Sequence, residues 1–419
     1  MSLPHTFFIG RSGGVAPIVF PGIPDTLMSL QSNRLTKYDL SNWGGAPTLT
    51  NSYLYSQSWP GRIADVAVDA NDVAWVYAKK TGTSVTSVRV SDLGGNYLSN
   101  LSIAGSIGSM VTLRNGLIVA HDTNGTLKSY QIGTAGNLHP TGHTTTSSVP
   151  TAVTRMISPP DPTNGNDLTK HYNTTYSVET LGSYAGGQGG ILANGTCTLV
   201  CASTNNYLTV YRVSAAGVFT YTGSLSMGGN PTAMTYWPNG TIIAHLHNQK
   251  PTHVKCEWPS FVPLVKGTSS TLNAGQVFTT AWSRSGHNYW GGDGYRLSRG
   301  YDNLTINAMA NAANSTNQMT YGTYTYQTMP AAFVNVPQYI TSVIGIGTNV
   351  YWSGYHSSYG WTKVARFTEL NGSGGQNNFG GNTNVSVNSS TSTSASTTDL
   401  LSGRPDWANT DEHFVEGWA

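Results

Sequence analysis

Charge is what this sequence has least of. Asp, Glu, Lys and Arg make up 10% of its 419 residues, against roughly 25% in an average soluble protein. Glutamate is confined to Glu179, Glu257, Glu369, Glu412 and Glu416. A glycosidase needs two carboxylates flanking the scissile bond. Asp65 with Asp69 and Asp161 with Asp167 are close in sequence, while Asp69 and Asp72 bracket a turn, an ordinary use of Asp. The chain is therefore expected to be non-enzymatic. With a net charge of +2 and no basic run, nothing offers electrostatic capture of nucleic acid. The three cysteines do not make a disulfide framework. Cys197 and Cys201 sit roughly 13 Å apart if they share a strand, beyond the ~7 Å Cα limit of a bridge; all three, Cys256 included, are expected as small buried apolar residues.

Other absences narrow the choice further. Apolar runs stay under about ten residues, too short for a membrane-crossing helix, so no membrane insertion is expected. The start, Met1 to Gly10, lacks a basic segment and a long apolar core, so no signal peptide is expected. No Walker loop or Cys-x-x-Cys pair occurs, and no cofactor is expected. Gly10-Arg11-Ser12-Gly13-Gly14 matches a nucleophile elbow in letters, but Pro17, Pro21 and Pro24 forbid the helix that elbow requires. Long helical periodicity is missing throughout.

What is present is a repeat. Leu-x-x-Tyr-x-(Leu/Ile/Val) reads Leu35-Tyr38-Leu40, Leu127-Tyr130-Ile132 and Leu208-Tyr211-Val213. Looser copies lie at Val85-Val88-Val90, Thr175-Tyr176-Val178 and Val254-Cys256-Trp258, with poorer ones around Leu297 and Val364. Before several copies comes a turn and an apolar run: Asn115-Gly116 before Leu117–His121, Asn194-Gly195 before Thr196–Cys201, Asn239-Gly240 before Thr241–His245. Asn-Gly suits the positive φ of a tight hairpin, and the run after it reads as a buried strand. A period of roughly 40–45 residues built from short strands is the signature of propeller blades. The expected fold is all-β, a single β-propeller of four-stranded antiparallel blades with extended N- and C-terminal arms. Unit spacing favours eight blades. The alternative is seven, reached if the first unit is partial and completes the last by strand exchange. The expected boundaries are an N-terminal arm over 1–27, the propeller over 28–370, and a Gly/Ser/Thr/Asn-rich C-terminal arm over 371–419.

Candidate sites are few. Tyr289, Trp290 and Tyr295 cluster in one unit, and Tyr351, Trp352 and Tyr355 in the next. Aromatic faces beside amides and hydroxyls can stack on sugar rings, so these six are the candidate carbohydrate platform; rings filling the wedges between blades are the competing reading. His121 and His245 occupy the same place in two units, with His247 two beyond. Three imidazoles could hold zinc, but no carboxylate recurs with them and their units are not adjacent, so no metal is expected. In the arms, Phe7, Phe8, Ile9, Phe414 and Trp418 are large apolar groups that short segments cannot bury alone, and they are the candidate assembly anchors.

The opening Leu3-Pro4-His5-Thr6-Phe7-Phe8-Ile9-Gly10, followed by Gly-rich sequence, resembles the start of structural proteins of tailed bacteriophages. The rest is similar to virion fibre and decoration proteins in composition. The resemblance implies a non-enzymatic virion component on capsid or tail, oligomeric in its assembly, with other virion proteins as partners and host surface carbohydrate as a possible contact. No family site residue carries over, because the resemblance lies in the arm. Two further readings stay open: a lectin-like propeller and a propeller glycoside hydrolase.

Overall fold

A computed structural model describes the strands named below, with connecting residues at 40, 113–117, 125, 133, 136–137, 145, 158–159, 195–196, 204–206, 214–218, 227–230 and 260–261. Side-chain surroundings are described for part of these, chiefly within 109–145, 153–159 and 195–265. The N-terminal strands are β1 (Thr6–Phe7), β2 (Ile18–Val19), β3 (Leu27–Gln31), β4 (Arg34–Tyr38) and β5 (Leu49–Asn51). Next come β6 (Arg62–Val68), β7 (Ala74–Lys80), β8 (Val85–Asp92) and β9 (Tyr97–Ala104). They are followed by β10 (Ile107–Thr112), β11 (Ile118–Asp122), β12 (Thr126–Ile132) and β13 (Leu138–Thr144). The middle of the chain gives β14 (Val153–Ile157), β15 (Cys197–Ser203), β16 (Tyr207–Val213) and β17 (Phe219–Ser226). After these lie β18 (Pro231–Tyr236), β19 (Ile242–Leu246), β20 (Thr252–Glu257) and β21 (Val262–Thr268). Then follow β22 (Val277–Arg284), β23 (His287–Asp293), β24 (Tyr295–Tyr301) and β25 (Thr325–Thr328). The last are β26 (Tyr339–Ile346), β27 (Asn349–His356), β28 (Trp361–Thr368), β29 (Ser386–Asn388) and β30 (Thr398–Ser402).

All pairing among these strands is antiparallel. β6–β9, β10–β13, β14–β17 and β18–β21 each make a four-stranded sheet in chain order. β22–β25 and β26–β29 are two more such groups, joined into one larger sheet through the pair Asp293↔Tyr339. The remaining four-stranded sheet has the order β30-β3-β4-β5, so its first strand comes from the far end of the chain. One strand from each group forms the inner circuit: β30 packs on β6, β6 on β10, β10 on β14, β14 on β18, β18 on β22, β22 on β26, and β26 returns to β30. The architecture is an all-β, propeller-like ring of radially stacked sheets.

The repeat motif now has a physical reason. Its leucine and tyrosine fall on the third strand of a sheet, and Tyr38, Tyr130 and Tyr211 are buried in the space between sheets. Second strands are flanked by sheets on both sides. β11, β15 and β19 are accordingly buried at every position. Outer strands β13 and β17 are largely exposed. The cluster between the third and fourth sheets joins Val111, Leu113, Leu117, Val119 and Leu127 to Val153, Met156, Leu199, Tyr211 and Val213, with Cys197 and Cys201 behaving as small apolar residues within it. A second cluster places Leu27 and Tyr38 against Ile344, Tyr351 and Val364, closing the first sheet onto the last.

One expectation needs correction. The segment 371–419 is not simply an arm, because it supplies β29, paired with β28, and β30, paired with β3 over five residues from Leu27↔Ser402 to Gln31↔Thr398. Its low-complexity stretch hides a Thr-Asp-Leu-Leu-Ser strand whose value lies in the partner waiting for it. The hairpin turn expected at Asn115-Gly116 is present, and its form is specific. Leu113 N donates to Leu117 O at 2.7 Å and Gly116 N to Leu113 O at 2.9 Å, so the loop holds three residues, and Gly116 takes the positive φ of 81°. Asn115 is left free to use its side chain elsewhere. The N-terminal arm shows one pairing, β1 with β2, made by Thr6↔Val19 and Phe7↔Ile18.

Candidate functional site

The first strand of six groups carries an irregularity at one common step. Pairing skips a residue between Ile63 and Asp65, Ile107 and Ser109, Val153 and Arg155, Pro231 and Ala233, Phe278 and Thr280, and Ile340 and Ser342. The skipped residues are Ala64, Gly108, Thr154, Thr232, Thr279 and Thr341, all small and mostly threonine. A bulge frees a backbone group from the ladder and re-aims the neighbouring side chain. Repeated around the inner circuit, it forms a collar at one end of the ring's axis. Ser109, Thr232 and Ser342 are half-buried there, and Arg155 is exposed. Thr232 Oγ1 also donates to His245 O at 3.4 Å.

The opposite end of the inner strands is built differently. Arg114 follows β10, is fully buried, and reaches across two further sheets. Its Nε donates to Ser158 O at 2.8 Å, just past β14, and its NH2 group donates to Tyr236 Oη at 3.2 Å, at the end of β18. The Tyr236 ring also faces the guanidinium, 5.4 Å from its carbon, a cation–π geometry. Arg114 N donates to Ser158 Oγ at 3.3 Å, and Ser158 Oγ donates onward to Thr198 O at 3.1 Å. Non-adjacent sheets approach one another only near the axis, so this guanidinium caps the axial end away from the collar. Beside it, Asn115 Nδ2 donates to Gly195 O, Val213 O and Ser214 O, each at 3.2 Å, clasping the next sheet.

The same use of polar groups continues outward. Ser129 Oγ donates to Gly217 O at 2.9 Å, and Thr222 Oγ1 donates to Phe261 O at 3.1 Å, each linking neighbouring sheets. Arg212 stacks 3.9 Å from the Phe261 ring centroid while holding Thr198 Oγ1 and Thr196 O of its own sheet.

Among the candidates read from the sequence, Tyr351 and Trp352 are 1% and 3% exposed. They cannot offer a face to a sugar, because β27 is the second strand of its group and both its faces meet other strands. Tyr289 and Trp290 lie on β23, Tyr295 on β24 and Tyr355 on β27; their side-chain surroundings lie outside the described residues. The aromatic rings that are exposed among the described residues are Tyr207 (40%) and Tyr221 (47%), which the sequence did not single out. Phe7 lies on β1, while Phe8, Ile9, Phe414 and Trp418 fall outside the described residues. His121 and His245 do hold matching positions, opposite Ser109 and Ala233, and both are fully buried. Their sheets are separated by β14–β17; His247 lies outside the described residues. Among the described residues no three His, Cys, Asp or Glu converge as metal ligands would, and no helix is long and apolar enough to cross a membrane. Arg114 and Arg155 went unnoticed in the sequence, and Asn115 was read there only as a turn residue. The signal available for Arg114 was an arginine next to a turn Asn-Gly in a chain with few charges.

Three titratable groups in the described core, Tyr130, Cys201 and Tyr211, are held in their protonated, neutral form. Burial, reinforced by the Asp122 carboxylate, pushes the Tyr130 hydroxyl up to about 12. Burial, then Cys201 and Tyr221, pushes Tyr211 upward, and burial alone pushes the Cys201 thiol upward. Such a thiol is a poor nucleophile. These shifts set a pH dependence. Each group keeps its proton longer folded than unfolded, so its contribution is fully present below the unfolded value and is lost as pH rises through the folded one. The unfolded values are 9.0 for Cys201 and 10.0 for the tyrosines. Stability should hold to about pH 9 and then fall as each of these groups begins to titrate in the unfolded chain, first Cys201 and then the tyrosines. Thermal melts from pH 7 to 11 check this: Cys201→Ala should flatten the loss between about pH 9 and 10, and an unchanged profile would contradict the assignment.

Comparison with protein-family models gives no match, and comparison with curated proteins gives none. Solved structures do match in fold. One is a protein from Lactobacillus plantarum, 11% identical, with a TM-score of 0.53 over 90% of this chain and 99% of that one. Another is a putative 6-phosphogluconolactonase from Bacteroides fragilis, 10% identical, with a TM-score of 0.52 over 91% of this chain and 98% of the other. At these identities the likeness is one of fold, and what this chain shares with both is a propeller-like all-β ring.

Proposed function

We propose that this chain is a seven-bladed propeller acting as a non-enzymatic assembly scaffold, a structural component of a virion joined to its neighbours through its N-terminal arm. The count of seven is supported by the inner circuit and by β30 completing the first sheet, which makes the first unit and the chain's end one blade. The observation that carries the scaffold reading is where the buried polar side chains go. Arg114, Asn115, Ser129 and Thr222 all link one sheet to another. A ring built this way gains rigidity from its polar groups and leaves few of them for chemistry. The virion assignment is supported by the phage-like opening and by the uncharged, hydroxyl- and amide-rich composition.

The arm supplies the test. β1 and β2 pair with each other and with no other described strand. Phe7, Phe8 and Ile9 would each gain roughly 1.5–3 kcal/mol on full burial, more than a two-residue hairpin can provide alone. Deleting residues 1–25 should leave the thermal melt and monomer size of the ring intact and abolish its incorporation into the assembly. Normal incorporation of the truncated chain, or its failure to fold, would overturn the anchoring role.

A further inference from the structure

We propose that Asn115 is a latent modification site whose amide survives only while the third and fourth sheets stay clasped, so that its loss records ring opening irreversibly. Asn followed by Gly is the sequence in which an unhindered chain loses a side-chain amide most readily, since glycine puts no side chain in the way. Around Gly116 there is indeed open space: a Cβ built there would meet nothing within 4 Å. Reaction is held back by hydrogen bonds on the attacking nitrogen and on both polar atoms of the side-chain amide. Asn115 Nδ2 is engaged by the three carbonyls of the next sheet, Oδ1 accepts from Leu117 N at 3.3 Å, and Gly116 N donates to Leu113 O at 2.9 Å. The residue is 5% exposed, which also keeps water away.

When the sheets part, those restraints go together. Deprotonated Gly116 N then attacks Asn115 Cγ, forming a C–N bond. The Cγ–Nδ2 bond breaks, and the amide nitrogen takes up a proton and leaves as ammonia. Water adds to one carbonyl of the resulting five-membered imide and breaks one of its two C–N bonds. The product at position 115 is an aspartate or its β-linked isomer. Neither can donate to Gly195 O, Val213 O and Ser214 O, and the carboxylate would face carbonyl oxygens where an N–H₂ stood. A ring that opens long enough to react cannot clasp again as before. Local opening of this kind is the ordinary behaviour of a folded chain; the sequence converts it into a covalent change.

The test incubates the full chain at pH 8.5 with and without denaturant, and follows the peptide containing Asn115 by mass. The unfolded chain should lose the amide at least tenfold faster than the folded one, with folded-state loss tracking hydrogen exchange of β10 and β14. Equal rates in the two states would overturn the proposal. Asn115→Asp gives the second readout: its urea midpoint should fall well below that of the parent, or the chain should fail to close. A variant with unaltered stability would equally overturn it, whatever the kinetics.

Discussion

Deleting residues 398–419 should leave a chain that no longer melts cooperatively and that elutes as expanded or self-associated material. The expectation follows from the place of β30 rather than from its composition. Its five residues pair with β3 from Leu27↔Ser402 to Gln31↔Thr398, and it is the strand through which the inner circuit passes between β26 and β6. Without it β3 becomes an open edge beside the axis. Leu27 and Met28, now fully buried, would lose cover at roughly 1.5–3 kcal/mol each if wholly exposed. The contact of Leu27 and Tyr38 with Ile344, Tyr351 and Val364, which joins the first sheet to the last, would loosen with them. Against a total stability of about 5–15 kcal/mol, that is a decisive loss. A shorter deletion should separate the strand from the tail: removing 403–419 alone should preserve cooperative melting. If the chain lacking 398–419 melts at the parent temperature, β30 does not close the ring.

The strand pattern inside each unit was legible because it is written in local chemistry. Asn115-Gly116 marks a turn, Ile118 to His121 a strand buried on both faces, and Tyr130 and Tyr211 a recurring place between sheets. β30 was not legible, since Thr398-Asp399-Leu400-Leu401-Ser402 is an unremarkable strand following an uncharged, low-complexity stretch, and its partner lies at the other end of the chain. The choice between a sugar platform and a wedge filling at Tyr351 and Trp352 could not be made from the sequence for a related reason. Composition shows that rings gather there but not which strand of the sheet carries them, and second strands have no exposed face. The bulged collar escaped notice because a skipped residue changes register, not residue type; a recurring threonine at Thr154, Thr232, Thr279 and Thr341 was its single trace. Arg114 escaped because reading a chain locally cannot tell that one side chain meets residues 44 and 122 positions away.

Arg114→Met should lower the unfolding free energy by about 2–4 kcal/mol, a large effect for one substitution. Methionine keeps the apolar stem and removes the guanidinium, so the change isolates the polar links. Ser158 O and Tyr236 Oη would then lose a buried donor, and each unsatisfied buried group costs roughly 1–3 kcal/mol. Part of that loss is offset because burying the guanidinium is itself costly. Arg114→Lys should not rescue it: an ammonium is a single point, whereas the guanidinium meets Ser158 and Tyr236 with different nitrogens while stacking on a ring. Tyr236→Phe separates the two arms of the contact. It keeps the ring over the guanidinium and removes the hydroxyl, so it should cost about 0.5–1.5 kcal/mol, an ordinary hydrogen bond. In the Arg114→Met background the same change should cost nearly nothing, which is the coupling a double-mutant cycle measures. Additive losses in urea denaturation would mean that the two side chains do not act on one another, and that the axial cap is made by something else.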